Sequence, residues 1–254
     1  MRTIRRHFVT HIHVAAVGLF ALAQATACIP YTVGSTAETA PVGQSTHTAS
    51  MYFIPNAVKS PGDSVSVPMR GLDAEWRHGM DERSDVGLRL MPGAGGAIVN
   101  YKHRFEDAGS GQPALAYMIG GGVVNWGEHA EMEATLIASG DESASIMPFG
   151  GLRAIQVIPI TQGAVSDSPT LGGFGGLQFG DRSFSIRPEL GVYYDRSALG
   201  LRRSSVIFVP AITLARGPRP DNVDAQAAKA ANAARPRRSS GGIICTLIGV
   251  GDCR

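Results

Sequence analysis

The sequence predicts an all-β fold, an antiparallel up-and-down β-barrel of about 8–10 strands. Three observations predict it. From Ser45 to Leu214 apolar and polar residues alternate with period two. Gly, Pro, Asn, Asp and Ser interrupt that alternation every ten to fifteen residues or so. The chain also carries 32 Gly in 254 residues, well above the usual ~7%, with no Gly-X-Y period. A hydrophobic content of 44% leaves enough apolar surface for a core and excludes disorder throughout. No internal repeat of fixed period is present, which argues against a solenoid or propeller.

The elements follow in chain order. Arg2, Arg5 and Arg6 precede the apolar stretch VAAVGLFALA and the small triplet Ala25-Thr26-Ala27, the three-part layout of a secretory signal peptide over residues 1–27. The apolar stretch is shorter than the ~20 residues of a membrane-spanning helix. His11 and His13 leave with this segment. Cys28 follows the triplet, and the arrangement resembles the lipobox of bacterial lipoproteins. The resemblance implies acylation of Cys28, although Ala25 stands where that family prefers Leu. An ordinary signal peptidase cutting at the same bond would leave a free thiol. Residues 28–44 read as an N-terminal linker.

The barrel domain covers residues 45–215, with strands expected near 45–54, 65–78, 83–91, 96–105, 113–124, 129–139, 145–157, 169–179, 183–194 and 204–214. The clearest run sets Phe184, Ile186, Pro188, Leu190, Val192 and Tyr194 against Ser185, Arg187, Glu189, Gly191 and Tyr193. Several runs reach the nine to twelve or so residues that a tilted transmembrane strand requires. The polar faces carry Asp73, Glu75, Asp85, Glu131, Glu133 and Glu189 against Arg77, Arg89, Lys102, Arg104, Arg153 and Arg187. Inside a narrow lumen such a balance would be close to required, because buried charges must be paired. On a solvated surface it would need no explanation.

This pattern resembles the small outer-membrane β-barrel proteins of diderm bacteria, over roughly residues 45–214. The resemblance implies a barrel in the cell outer membrane, surrounded by its lipid. Its partners would be the outer-membrane assembly and lipoprotein export machinery. Tyr52, Trp76, Tyr101, Phe105, Tyr117, Trp126 and Tyr194 are available for interfacial girdles. Leu214 stands where that class usually ends its last strand in an aromatic residue, and 40 residues follow it.

Residues 216–254 form an Ala/Arg/Pro-rich tail, a linker ending in a terminal segment between Cys245 and Cys253. With Cys28 acylated, these two are an even pair in an oxidising compartment. A disulfide between them would contribute ~2–3 kcal/mol. Loss of the leader takes three of the 23 basic residues, so the remaining chain has a net charge of −1, and residues 28–215 carry −5. Neither that body nor the short RPRRSS stretch invites nucleic acid.

Apart from the leader, the histidines are His47, His78, His103 and His129, with no Gly-x-Ser-x-Gly elbow and no metal-ligand spacing. The chemistry therefore points to no cofactor and no catalytic residue. The function expected is a non-enzymatic barrel, structural or passing small solutes through a narrow pore. Two alternatives stay open at this stage. One is a lipid-tethered periplasmic barrel holding an apolar ligand on an inward apolar face. The other is a lipid-modifying enzyme using His103 or His129.

Overall fold

The computed structural model describes residues 30–59, 66–105, 113–141, 144–160, 169–195 and 205–218. Cys28, Cys245, Cys253, the leader and all but the start of the tail lie outside them. Ten antiparallel strands form one closed barrel. They are β1 (Ser45–Lys59), β2 (Ser66–Gly79), β3 (Ser84–Met91), β4 (Gly96–Arg104), β5 (Ala114–Val124), β6 (His129–Ser139), β7 (Ile146–Pro159), β8 (Thr170–Gly180), β9 (Phe184–Asp195) and β10 (Ser205–Arg216). Each pairs with its neighbours in sequence, and β1 closes on β10 through Ala49↔Leu214 and Met51↔Ile212. Closure leaves no edge strand with unpaired backbone, which is what a sheet crossing lipid needs.

The ten strands answer the expected runs almost residue for residue. The largest difference is at β1, which continues to Lys59 rather than ending at Ile54. Pro55-Asn56 breaks the alternation there. The sheet absorbs the break as a register shift between Ile54 and Val58, so pairing with β2 resumes at Val58↔Val67.

Alternation leaves open which face is wet, and the structure decides it. Leu72, Trp76, Leu88, Leu90, Val99, Ile119, Met132, Leu136, Leu152, Leu190, Phe208 and Leu214 point outward and are exposed, while the charged faces are buried inside. The binding barrel with an inward apolar face therefore does not describe this molecule. A soluble protein rarely exposes apolar surface around its whole girth. An eleven-residue strand such as β6, tilted by ~40–45°, rises about 26–28 Å along the axis, close to the ~25 Å apolar band of a membrane barrel.

Tyr52 departs from the girdle expectation. It faces the lumen, 2% exposed, because it pairs across the strands with Gly71 and its ring fills the space where a Gly71 side chain would stand, with Cζ 1.8 Å from an ideal Cβ. Tyr193 lies over Gly172 in the same way. This accounts for the glycine-rich runs. In PFGGLRA and LGGFGGLQFG the inward positions alternate between glycine and a large residue from the neighbouring strand, as with Phe149 against Gly176 and Phe174 against Gly151.

With ten strands, both ends of the sheet lie at one mouth, here called proximal, together with the turns over 80–83 and 181–183; the turns over 92–95 and 125–128 lie at the other, distal mouth.

Candidate functional site

The lumen is filled by layers of side chains and by the chain itself. Residues 30–40, part of the segment read as a linker in the sequence, run through the barrel interior before β1 begins. Of residues 30–40, every one but Glu38 is buried. The chain runs from distal to proximal. Tyr31 packs against Tyr193 near the distal end, with ring centroids 5.4 Å apart and the planes tilted by 58°. Ala40 donates its N–H to Asp85 Oδ2 at 2.7 Å near the proximal end. Val42 then bridges Gly79, and a turn closed by Gln44 N–H to Pro41 O leads into β1. An extended stretch of this length reaches about 35 Å, enough to cross the apolar band. We call residues 30–41 the strap.

The strap is held by its backbone. Glu189 accepts the N–H groups of Val33 (3.0 Å) and Gly34 (2.9 Å) and the hydroxyl of Thr32 (3.3 Å). Arg153 donates to Thr32 O at 2.8 Å. Arg89 reaches Thr32 O at 3.4 Å and Val33 O at 3.3 Å, and Arg187 donates to Gly34 O at 3.0 Å. Lys102 binds Ser35 Oγ (3.1 Å), Thr36 O (3.2 Å) and Glu38 O. Ala37 N–H reaches Ser139 Oγ at 3.3 Å. Polar backbone inside a barrel must find partners, and here the luminal charges supply them.

The same charges are tied to one another. Arg77 donates to Asp85 Oδ1 at 2.9 Å through Nε, and to Glu75 Oε1 at 2.7 Å and Asn100 Oδ1 at 2.6 Å through one terminal nitrogen. Arg153 pairs with Glu133. Arg89 sits 3.5 Å from Glu75 and 3.7 Å from Glu133. Lys102 lies 3.7 Å from Asp85. Apolar layers flank this cluster. The distal one contains Tyr31, Tyr52, Ile54, Met91, Ala94, Val124, Val157, Tyr193, Ile207 and Val209. The other, toward β5–β8, packs Val33 and Ala37 against Met118, Ile137, Phe149 and Phe174.

Ten of the twelve charged residues singled out in the sequence are buried in this lumen. Arg187 and Arg104 are half-buried, the latter at the proximal end of β4. Asp73 and Glu131 differ from the rest. They lie on the distal side of the cluster, 3% and 1% exposed, and neither carboxylate has a hydrogen-bond partner among the described residues.

The histidines lie elsewhere. His78 Nδ1 is 3.1 Å from Ser45 Oγ, and His103 Nδ1 is 2.8 Å from Ser84 Oγ. Ser84 is buried beneath Tyr101, whose hydroxyl donates to it at 2.9 Å, so this Ser–His pair offers no open nucleophile. His129 meets Asn125 at 3.5 Å. Among the described residues, no group of three or more His, Cys, Asp or Glu side chains is placed to hold a metal ion.

Sequence reasoning found the charges and missed the strap. YTVGSTA (residues 31–37) has no charge and no sustained period, and its partners on the barrel wall lie 56 to 162 positions away in the chain.

No family model and no curated protein matches the chain. Solved structures with a similar fold include Neisserial surface protein A, at 12% identity and a TM-score of 0.33 over 68% of this chain and 96% of that one. The Yersinia pestis outer membrane protein Ail, in a phospholipid bilayer nanodisc, matches at 16% identity and a TM-score of 0.30 over 68% and 99%. An outer membrane channel from Pseudomonas putida F1 matches at 8% identity and a TM-score of 0.40 over 72% and 98%. At these scores the likenesses carry no argument about function.

Proposed function

We propose that this protein is a non-enzymatic outer-membrane β-barrel that its own N-terminal strap keeps closed, serving the cell envelope as a sealed structural or anchoring element. The observation that carries this reading is the strap's backbone, which luminal side chains bond at Thr32, Val33, Gly34, Thr36, Ala37, Glu38 and Ala40. An open pore would leave that interior to water. Here most of the luminal charges bond one another or the strap, Asp73 and Glu131 excepted, and the distal apolar layer packs over what remains. The apolar outer face makes membrane lipid the principal partner. An exported chain whose spanning elements are strands belongs in the outer membrane, delivered by that membrane's assembly machinery. Acylation of Cys28 would add a second attachment to the lipid.

Planar-bilayer recording tests the reading. Purified intact protein is expected to give no large stable conductance, whereas a chain lacking residues 30–40, refolded in detergent, is expected to give discrete conducting steps. Equal large conductance from both would overturn the proposal.

A further inference from the structure

We infer that the proximal mouth holds a binding site for a small phosphate-type oxyanion, in the cavity left between the strap and the inner wall of β9, β10 and β1.

The cavity follows from where the strap is pulled. In its proximal half the strap is drawn toward β3 and β4, where Lys102 donates to Ser35 Oγ, Thr36 O and Glu38 O, and Asp85 accepts from Ala40 N–H. The facing wall carries short inward side chains at that level, Thr46 and Thr48 of β1 and Ala215 of β10, and a space of about 60 Å³ stays open there. At ~10–15 Å³ for each water, that is room for a few waters or one tetrahedral oxyanion. The space is blind. Gly34 closes against Ser50 and Thr213, whose hydroxyls bond one another at 2.7 Å, and Arg187 stands in register with Thr213 at that floor.

The charge around the cavity is one-sided. Five of its lining residues are Arg or Lys, and the single acidic one, Glu38, already pairs with Arg182 at 3.4 Å. Arg77 and Lys102 are matched by Glu75 and Asp85 deeper in the lumen. Arg187 has no such match. Its Nε donates to Gln178 Oε1 at 2.8 Å and one terminal nitrogen donates to Gly34 O at 3.0 Å, both uncharged acceptors. Its second terminal nitrogen has no partner among the described residues, and neither do the half-buried hydroxyls of Thr46 and Thr48. A guanidinium edge beside hydroxyl donors is the set that takes an oxyanion, and the planar fork favours oxyanions over halide. Arg182 and Arg216, exposed at the rim, add a positive field that draws the anion in.

Equilibrium dialysis of the folded, detergent-solubilised full chain against radiolabelled inorganic phosphate, at constant ionic strength in chloride, tests this. Heat-modifiable gel mobility verifies that each variant has assembled. Saturable binding of a single phosphate per barrel, displaced by sulfate, is expected. Arg187→Gln should weaken it by about tenfold or more and Thr48→Val by severalfold, as the loss of a charged and of a neutral hydrogen bond implies. Arg83→Gln, at the same mouth but outside the cavity, should leave it unchanged. Should Arg187→Gln fail to assemble, since Arg187 also holds Gly34 O, Thr48→Val and Arg182→Gln carry the test. A parallel titration with a soluble short-chain phosphatidic acid separates the two sources of such an oxyanion. Tighter binding than that of inorganic phosphate, with the same sensitivity to the variants, assigns the site to a lipid headgroup; weaker binding assigns it to the free ion. Non-saturable uptake, or a phosphate affinity that every assembled cavity variant shares with the unaltered protein, would overturn the inference. Bilayer recordings do not depend on this result, so the sealed barrel stands or falls separately.

Discussion

Glu189 and Asp73 are both buried carboxylates, yet neutralising them should act in opposite directions. Glu189 accepts hydrogen bonds from Thr32, Val33 and Gly34. Glu189→Ala leaves those two N–H groups buried without an acceptor, which costs on the order of 1–3 kcal/mol for each group stranded. The temperature at which the compact gel form converts to the unfolded one should fall by several degrees or more. Asp73 has no hydrogen-bond partner among the described residues. Asp73→Asn removes a buried charge at little loss of contact, so the same transition should hold or rise. A fall as large as that of Glu189→Ala would mean that Asp73 is paired in the folded protein. Gly34 is the third diagnostic residue. Its φ of +60° suits glycine, and a Cβ there would stand 2.7 Å from Thr213 Oγ1 and 2.8 Å from Ser50 Oγ. Gly34→Val should push the strap off the β1–β10 wall and turn a silent barrel into a leaking one in bilayer recordings.

At the scale of elements, period-two alternation made the strands legible because each side chain has only two environments, lipid or lumen. Ser185, Arg187 and Glu189 could be assigned to one face of β9 from the sequence alone, and Phe184, Ile186 and Leu190 to the other. Glycine-rich β8 was harder, since its inward pattern depends on aromatic rings from β7 and β9. The strap was not legible at all. Its position comes from bonds to side chains on β3, β4, β6, β7 and β9, not from any local preference. Turns carry their own signal. In the β8–β9 turn, Asp181 accepts from the Ser183 hydroxyl at 2.6 Å and from the N–H groups of Ser183 (2.7 Å) and Phe184 (3.1 Å). Those hydrogen bonds, the Ser183 hydroxyl first, hold the exposed carboxyl below its usual range. A lowered folded-state value means the contribution is present above the unfolded value of ~4 and is lost as the pH falls through the folded one. Amide exchange at Ser183 and Phe184 should therefore accelerate in acid relative to the neighbouring β9 amides. Asp181→Ala should remove that pH dependence.

The described residues form a barrel turned outside-in relative to a soluble one, with lipid-facing Leu, Val and Phe outside and ion pairs within. Burying charges is costly, and a barrel of this width could have filled its lumen with apolar side chains alone. The middle of this lumen is polar because it holds polypeptide backbone, which demands donors and acceptors that apolar residues lack. The charges, the small residues of the strap and the filled lumen are thus one arrangement. Hydrogen exchange of the strap amides in the folded, detergent-solubilised protein tests it most directly. The N–H groups of Val33, Gly34, Ala37 and Ala40, each bonded to a luminal side chain, should exchange as slowly as the amides of β9. Exchange at the rate of an unstructured chain, with the β9 amides still protected, would show that the barrel forms without its strap and would contradict the account.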